Sequence, residues 1–122
     1  MHHPVSSQSE VEALLASPSP AWLLKHSLTC GTSAAALDEF NEYLAAHSDQ
    51  QAGLLVVQTQ RPLSNWVATR LGYVHQSPQL FLLRAGAVVW QASHWSITAG
   101  AMAAAVRKAG ETVRQSGSPA VR

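Results

Sequence analysis

The chain has 122 residues, 47% of them hydrophobic, enough for one core but not for a second folded domain, since single domains most often run to roughly 100–150 residues. Charged residues make up only 12% and the net charge is +1, so no basic field is available to hold a nucleic-acid backbone or an anionic bilayer. No apolar run approaches the ~18 residues of a membrane span, Met1–Glu10 lacks the apolar stretch of a secretory signal, and a single cysteine excludes an internal disulfide; a cytoplasmic monomer with no nucleic-acid or membrane partner is expected.

Residues 1–8 read as a flexible polar arm, with His2 and His3 set aside from functional reasoning. Ser9 is the expected cap of a short helix whose Val11, Leu14 and Leu15 recur at helical spacing, and Ser17-Pro18-Ser19-Pro20 ends it. Ala21–Lys25 is an apolar run that suits a buried central strand. From Cys30 to about His47 the pattern turns helical, with Thr29 as cap and Ala34, Leu37, Phe40, Tyr43 and Leu44 on the apolar face. Gly53–Val57 gives a second buried strand. Pro62 then opens a helix carrying Leu63, Trp66, Val67 and Leu71 inward and stopping at Gly72. Leu80–Leu83 and Val88–Trp90 are separated only by Arg84–Ala87, which predicts an antiparallel hairpin with Gly86 in the turn. A last helix from about Ile97 to Gln115 places Met102, Val106, Ala109 and Val113 on one face. The reading is a folded domain over 9–115 and a flexible tail over 116–122.

The order β-α-β-α-β-β-α implies an α/β fold with a four-stranded mixed sheet and an extra N-terminal helix. Its first two strands form a parallel pair joined by a right-handed crossover. The first strand then delivers Cys30 to the sheet edge at the carboxyl ends of the parallel strands, the usual ligand side. An antiparallel third strand starts at that same edge, so His75–Gln79 lies there. The fourth strand ends there with Ser93-His94-Trp95, and the loop after the second strand adds Gln58–Arg61.

A lone cysteine can be a buried small hydrophobe or a reactive thiol. Position separates the two readings. A helix N-terminus presents amides and the positive end of the macrodipole, a placement that lowers cysteine from its usual ~8.5 to roughly 3.5–7.5 and so supplies the thiolate that attacks disulfides. Cys30-Gly31-Thr32-Ser33 also has Cys-x-x-Cys spacing with the second cysteine replaced by serine. The Ser33 hydroxyl can donate to the thiolate, but release of an adduct needs an external thiol. Pro78 lacks a ladder donor at the start of a core strand, whereas a cis Ser77–Pro78 bond would expose the Ser77 peptide groups to a substrate chain. His26 is expected to be a satisfied structural residue. The histidines show no metal-ligand spacing, so no metal site is expected.

These residues together resemble the monothiol bacilliredoxins of the YtxJ type, a branch of the thioredoxin superfamily. The matching segments are Lys25-His26-Ser27, Thr29-Cys30 with Ser33, Arg61–Asn65, Arg70-Leu71-Gly72, His75 with Ser77-Pro78-Gln79, Trp90, Ala92–Trp95, and Ile97-Thr98. The resemblance implies a thioredoxin-like three-layer fold and a Cys30 that removes bacillithiol, a cysteinyl-glucosaminyl-malate thiol, from mixed disulfides on proteins. Bacillithiolated proteins would be the partners and bacillithiol the co-substrate, with no tightly bound cofactor. Pro78 would be the superfamily's cis proline. Members of the family usually carry proline and an aliphatic residue where this chain has Gly31 and Thr32. Cys30 and Ser33 are thus the expected catalytic residues, with Thr29, Gly31, Thr32, Arg61, His75, Ser77, Pro78, Gln79, His94 and Trp95 lining the substrate site. Arg61, His75, His94 and the start of the last helix are the candidates for the two malate carboxylates. Two other readings compete. One is an iron-sulfur carrier like the monothiol glutaredoxins, whose Cys-Gly-Phe-Ser motif Cys30–Ser33 partly matches. The other is a non-catalytic thioredoxin-like binding module.

Overall fold

The computed structural model describes residues 2–121, with side chains described for residues 2–110. The elements in chain order are β1 (His3–Pro4), α1 (Gln8–Leu15), β2 (Ala21–His26), α2 (Gly31–Ala46), β3 (Gln51–Val56), α3 (Arg61–Leu71), β4 (Gln79–Arg84), β5 (Ala87–Ser93) and α4 (Ala99–Val121), with a 3-10 turn at His94–Ser96. The sheet order is β1-β3-β2-β4-β5. β2 runs parallel to β3, from Ala21↔Gln51 to His26↔Val56, and antiparallel to β4, from Ala21↔Leu83 to Lys25↔Gln79. Every residue of this central strand is buried, which is why it reads as a near-continuous apolar run.

Alternation along β2 divides the core. Trp22 and Leu24 pack with Phe40, Tyr43 and Leu44 of α2 and with Met102 and Ala105 of α4. Ala21 and Leu23 pack with Val11, Leu14 and Leu15 of α1 and with Leu63 and Val67 of α3. The result is a three-layer α/β/α sandwich. The β4–β5 hairpin turns through Ala85 (φ 51°) and Gly86 (φ 86°), the paired positive φ values of a two-residue turn that matches strand twist.

Several expectations are corrected. The sheet has five strands, not four, because the presumed arm contributes β1: His3 pairs with Gly53, Pro4 with Leu54, and the Val5 N–H donates to the Leu54 carbonyl at 2.9 Å. Gly53 makes this possible, since a Cβ there would lie 2.5 Å from Val5 Cγ2. Val5 is buried and the His2 ring packs on Phe40 at 5.8 Å between centroids, so the opening histidines belong to the fold. The cap of α1 is Ser7 rather than Ser9: its Oγ accepts from the Glu10 N–H, while the Glu10 carboxylate accepts from the Ser6 N–H, a shifted capping box. Cys30 itself, not Thr29, is the N-cap of α2, and the buried face of that helix is Ser33, Ala36, Phe40, Tyr43 and Leu44, with Ala34 exposed. Helix α4 starts at Ala99, whose N–H donates to Glu39 Oε1 at 2.8 Å. It continues to Val121 through the segment read as a tail; Val113 lies outside the residues whose side chains are described. Among the described residues no helix is long and apolar enough to cross a membrane.

Candidate active site

Four strand ends meet at one edge of the sheet: the carboxyl ends of β2, β3 and β5 and the start of β4, aligned through His26↔Val56, Lys25↔Gln79 and Gln79↔Ser93. The connection from β2 to α2 rises from this edge and carries Cys30, which is part exposed. Its extended backbone (φ −108°, ψ 123°) turns the chain into the first helical turn. Above all the Ser33 backbone N–H holds the thiol below its ordinary value; burial, second in size, pushes it up, and the Thr32 N–H and the Thr32 and Ser33 hydroxyls each add a smaller downward pull. No capping hydrogen bond to the sulfur is closed, so the pull is that of aligned N–H dipoles, which act most strongly on the thiolate. Ser33 is fully buried, and its Oγ accepts from the Ser27 N–H at 3.2 Å. That bond leaves the hydroxyl proton free to point toward sulfur.

The loop before Cys30 is pinned from the loop that follows β3. Gln58 donates through Nε2 to Ser27 Oγ at 2.8 Å and accepts the Leu28 N–H at 3.1 Å. Ser27 Oγ and Thr29 Oγ1 lie 3.4 Å apart. Gly31 faces open space.

The opposing wall is the loop into β4. Ser77–Pro78 is cis, and the Pro78 carbonyl accepts the His94 N–H at 3.1 Å. This bond fastens the loop after β5 to the cis proline, with His94 in the left-handed region (φ 54°), which histidine tolerates better than most residues. His94 and Trp95 are exposed. Gln79 is placed differently from expectation: it is 1% exposed, its Oε1 accepts the Gln76 N–H and its Nε2 donates to the Val74 carbonyl, so it shapes the loop instead of lining the surface. Arg61 is exposed at the start of α3. Among the described residues no hydrogen bond joins Cys30 to Arg61, His75, His94 or Trp95. Leu28, Val74 and Trp95, each more than half exposed, leave apolar surface on the loops of this same edge.

Beneath the edge lie groups that periodicity did not single out. Lys25 is fully buried and held by the Ser64 carbonyl and His75; burial lowers it to about 8. His26, one residue on, turns to the opposite face of the sheet, where burial lowers it and a hydrogen bond with the Ser33 backbone partly opposes that. It is satisfied only in part, against expectation. His26 Nδ1 and Ser77 Oγ are buried without a protein partner.

Comparison with known proteins agrees with this geometry. Residues 3–102 match the family described as monothiol bacilliredoxin BrxC. A solved structure of a presumed oxidoreductase with a thioredoxin fold is 35% identical, with a TM-score of 0.78 over 85% of this chain and 92% of that one. Thioredoxin from Trypanosoma brucei brucei superposes at TM-score 0.75 with 10% identity, over 91% of this chain and 92% of its own. Spinach chloroplast thioredoxin f gives 0.68 with 18% identity, over 88% and 92%; these last two show the fold alone. With a single cysteine at the N-cap of α2, a serine three residues on and a family match across the sheet and its site, the chain belongs to the monothiol bacilliredoxin family.

Proposed function

We propose that this protein is a monothiol thiol-disulfide oxidoreductase that removes bacillithiol from proteins in a reducing, cytoplasmic compartment. The observation that carries the reading is Cys30 at the N-cap of α2, its thiol lowered by the Ser33 and Thr32 amides, with serine where a second cysteine would resolve the adduct. In the first step the Cys30 thiolate attacks the bacillithiol sulfur of the mixed disulfide; a new S–S bond forms on Cys30 and the client leaves as its thiolate. In the second, an external thiolate attacks the bacillithiol sulfur on Cys30 and the enzyme thiolate departs. No electron is gained or lost by the pair of disulfides overall, so no tightly bound cofactor is required. The exposed Leu28, Val74 and Trp95 suit an apolar stretch of a client chain, and Arg61, His75 and His94 suit the malate carboxylates of bacillithiol.

Intact mass after mixing with bacillithiol disulfide and with a bacillithiolated substrate tests this. Wild type should gain one bacillithiol and lose it to added thiol, and Cys30→Ala should gain none. Wild type that takes up no bacillithiol, or that leaves the substrate bacillithiolated, refutes the assignment. Visible charge-transfer absorption with stoichiometric iron after anaerobic reconstitution would point instead to a cluster carrier, and activity retained in Cys30→Ser to a non-catalytic module.

A further inference from the structure

Strand β2 is buried on both faces, yet its fifth residue is a lysine. Lys25 Nζ lies 3.0 Å from the Ser64 carbonyl and 3.1 Å from His75 Nδ1, and Ser64 Oγ lies 3.3 Å from the same ring nitrogen. None of these partners is a carboxylate. Burying an ammonium without an opposite charge is a cost that an apolar residue in this strand would avoid.

The pairing fixes a proton. An ammonium has three donors and no acceptor, so a ring nitrogen facing it must accept. His75 Nδ1 therefore carries the lone pair, and the proton of the neutral ring sits on Nε2. A second proton is opposed by burial, then by Lys25, then by Arg61. The groups facing His75 are Lys25 from β2 and Ser64 and Arg61 from α3, with Gln79 of β4 closing its loop. No acid is among them. The ring is part exposed and precedes the cis Ser77–Pro78 bond by two residues, with Nε2 on the far side from the buried ammonium.

We propose that Lys25 is a positioning residue that locks His75 as a neutral imidazole protonated on Nε2, so that the loop into the cis proline offers one uncharged hydrogen-bond donor to a carboxylate of the thiol co-substrate. The carboxylate clause rests on the bacillithiol reading; the lock does not. Above about pH 8 Lys25 sheds its proton, its nitrogen gains a lone pair, and either ring tautomer then fits.

Nitrogen-15 histidine spectra from pH 5.5 to 9.5 test the lock. Wild-type His75 should be the Nε2–H tautomer at pH 7, and Lys25→Met should give mixed tautomers and protonation at a higher pH than in wild type, still held below the ordinary value by burial and Arg61. Wild-type His75 found as Nδ1–H or as imidazolium at pH 7, or a spectrum that Lys25→Met leaves unchanged, overturns the proposal. Because Lys25 is a core position, His75→Gln and His75→Leu supply the functional arm. Glutamine can turn oxygen inward and N–H outward, so its KM for a bacillithiolated peptide should stay within about threefold of wild type, while leucine should raise it about tenfold or more with kcat less affected. Equal KM values for the two variants overturn the donor role. A locked tautomer in a protein inactive on bacillithiolated peptide upholds the lock and overturns the bacillithiol clause.

Discussion

The buried lysine should make this fold gain stability as the solution turns alkaline. Lys25 titrates at about 8 in the folded chain against 10.5 when unfolded. Between those values the unfolded chain binds the extra proton, so unfolding becomes harder as pH rises. The difference of about 2.5 between them, at about 1.4 kcal/mol for each pH unit, gives roughly 3.5 kcal/mol as an upper bound; Nζ sits near the open end of the sheet, and solvent screening there brings the expectation toward half of that. Lys25→Met keeps the length of the stem and removes the titrating group. At neutral pH it relieves the buried charge but orphans the Ser64 carbonyl, opposing effects of about 1–3 kcal/mol each, so the two proteins should differ little there. Urea unfolding of both at pH 7.5, 8.5, 9.5 and 10.5 reads the effect as a difference, in which contributions common to the two chains cancel. Wild type should pull ahead progressively above pH 8. Parallel stability curves would refute the reasoning.

Three further predictions concern the site and the strand beneath it. Ser33→Ala removes one hydroxyl that lowers Cys30 and leaves the Ser27 N–H without its acceptor, so the midpoint of iodoacetamide reactivity against pH should move upward; an unmoved midpoint counts against the hydroxyl's part. Gly31→Pro should raise stability by about 0.4–1 kcal/mol in urea and preserve the adduct-forming activity, because the first helical position suits proline, Cys30 is already extended as a pre-proline residue must be, and no atom lies within 4 Å of a Cβ there. Lost stability would show that the turn needs glycine. Gly53→Ala drives a methyl into Val5 Cγ2 and Leu14 Cδ1, at 2.5 and 2.9 Å. It should cost about 1–3 kcal/mol and speed exchange of the Val5 amide, and unchanged exchange would refute the anchoring of β1.

Much of this was legible because long-range order follows from local pattern: apolar runs of strand length, helical periods, and a connection too short for anything but a hairpin fixed which loops share an edge with Cys30. What escaped lacks a local signature. His3–Pro4 is too short for any period, and only the missing Cβ of Gly53, fifty residues away, makes room for Val5. The serines at 6, 7 and 9 compete for one cap, and Glu10 three residues after Ser7 was the cue that decides between them. In the sequence Lys25 reads as the end of an apolar run. Alternation already set it on the face of Ala21 and Leu23, but Ser64 and His75 reach it only through the folded sheet.

The chemistry of a lone cysteine gives the first turn of α2 two duties under the proposed cycle. A thiol lowered by the Ser33 and Thr32 amides is more fully ionised at neutral pH, which favours attack on the client's mixed disulfide, although its intrinsic nucleophilicity falls with its basicity. In the second half of the cycle Cys30 is the leaving group. There the same stabilisation of the thiolate speeds departure with no opposing term, since the attacking sulfur belongs to the external thiol. Loss of acidity at Cys30 should therefore slow release from the adduct more uniformly across attacking thiols than it slows formation across clients. With Ser33 in place of a resolving cysteine, that release step is one the protein can promote only through the quality of its leaving group, and the N-cap position of Cys30 is where this sequence supplies it.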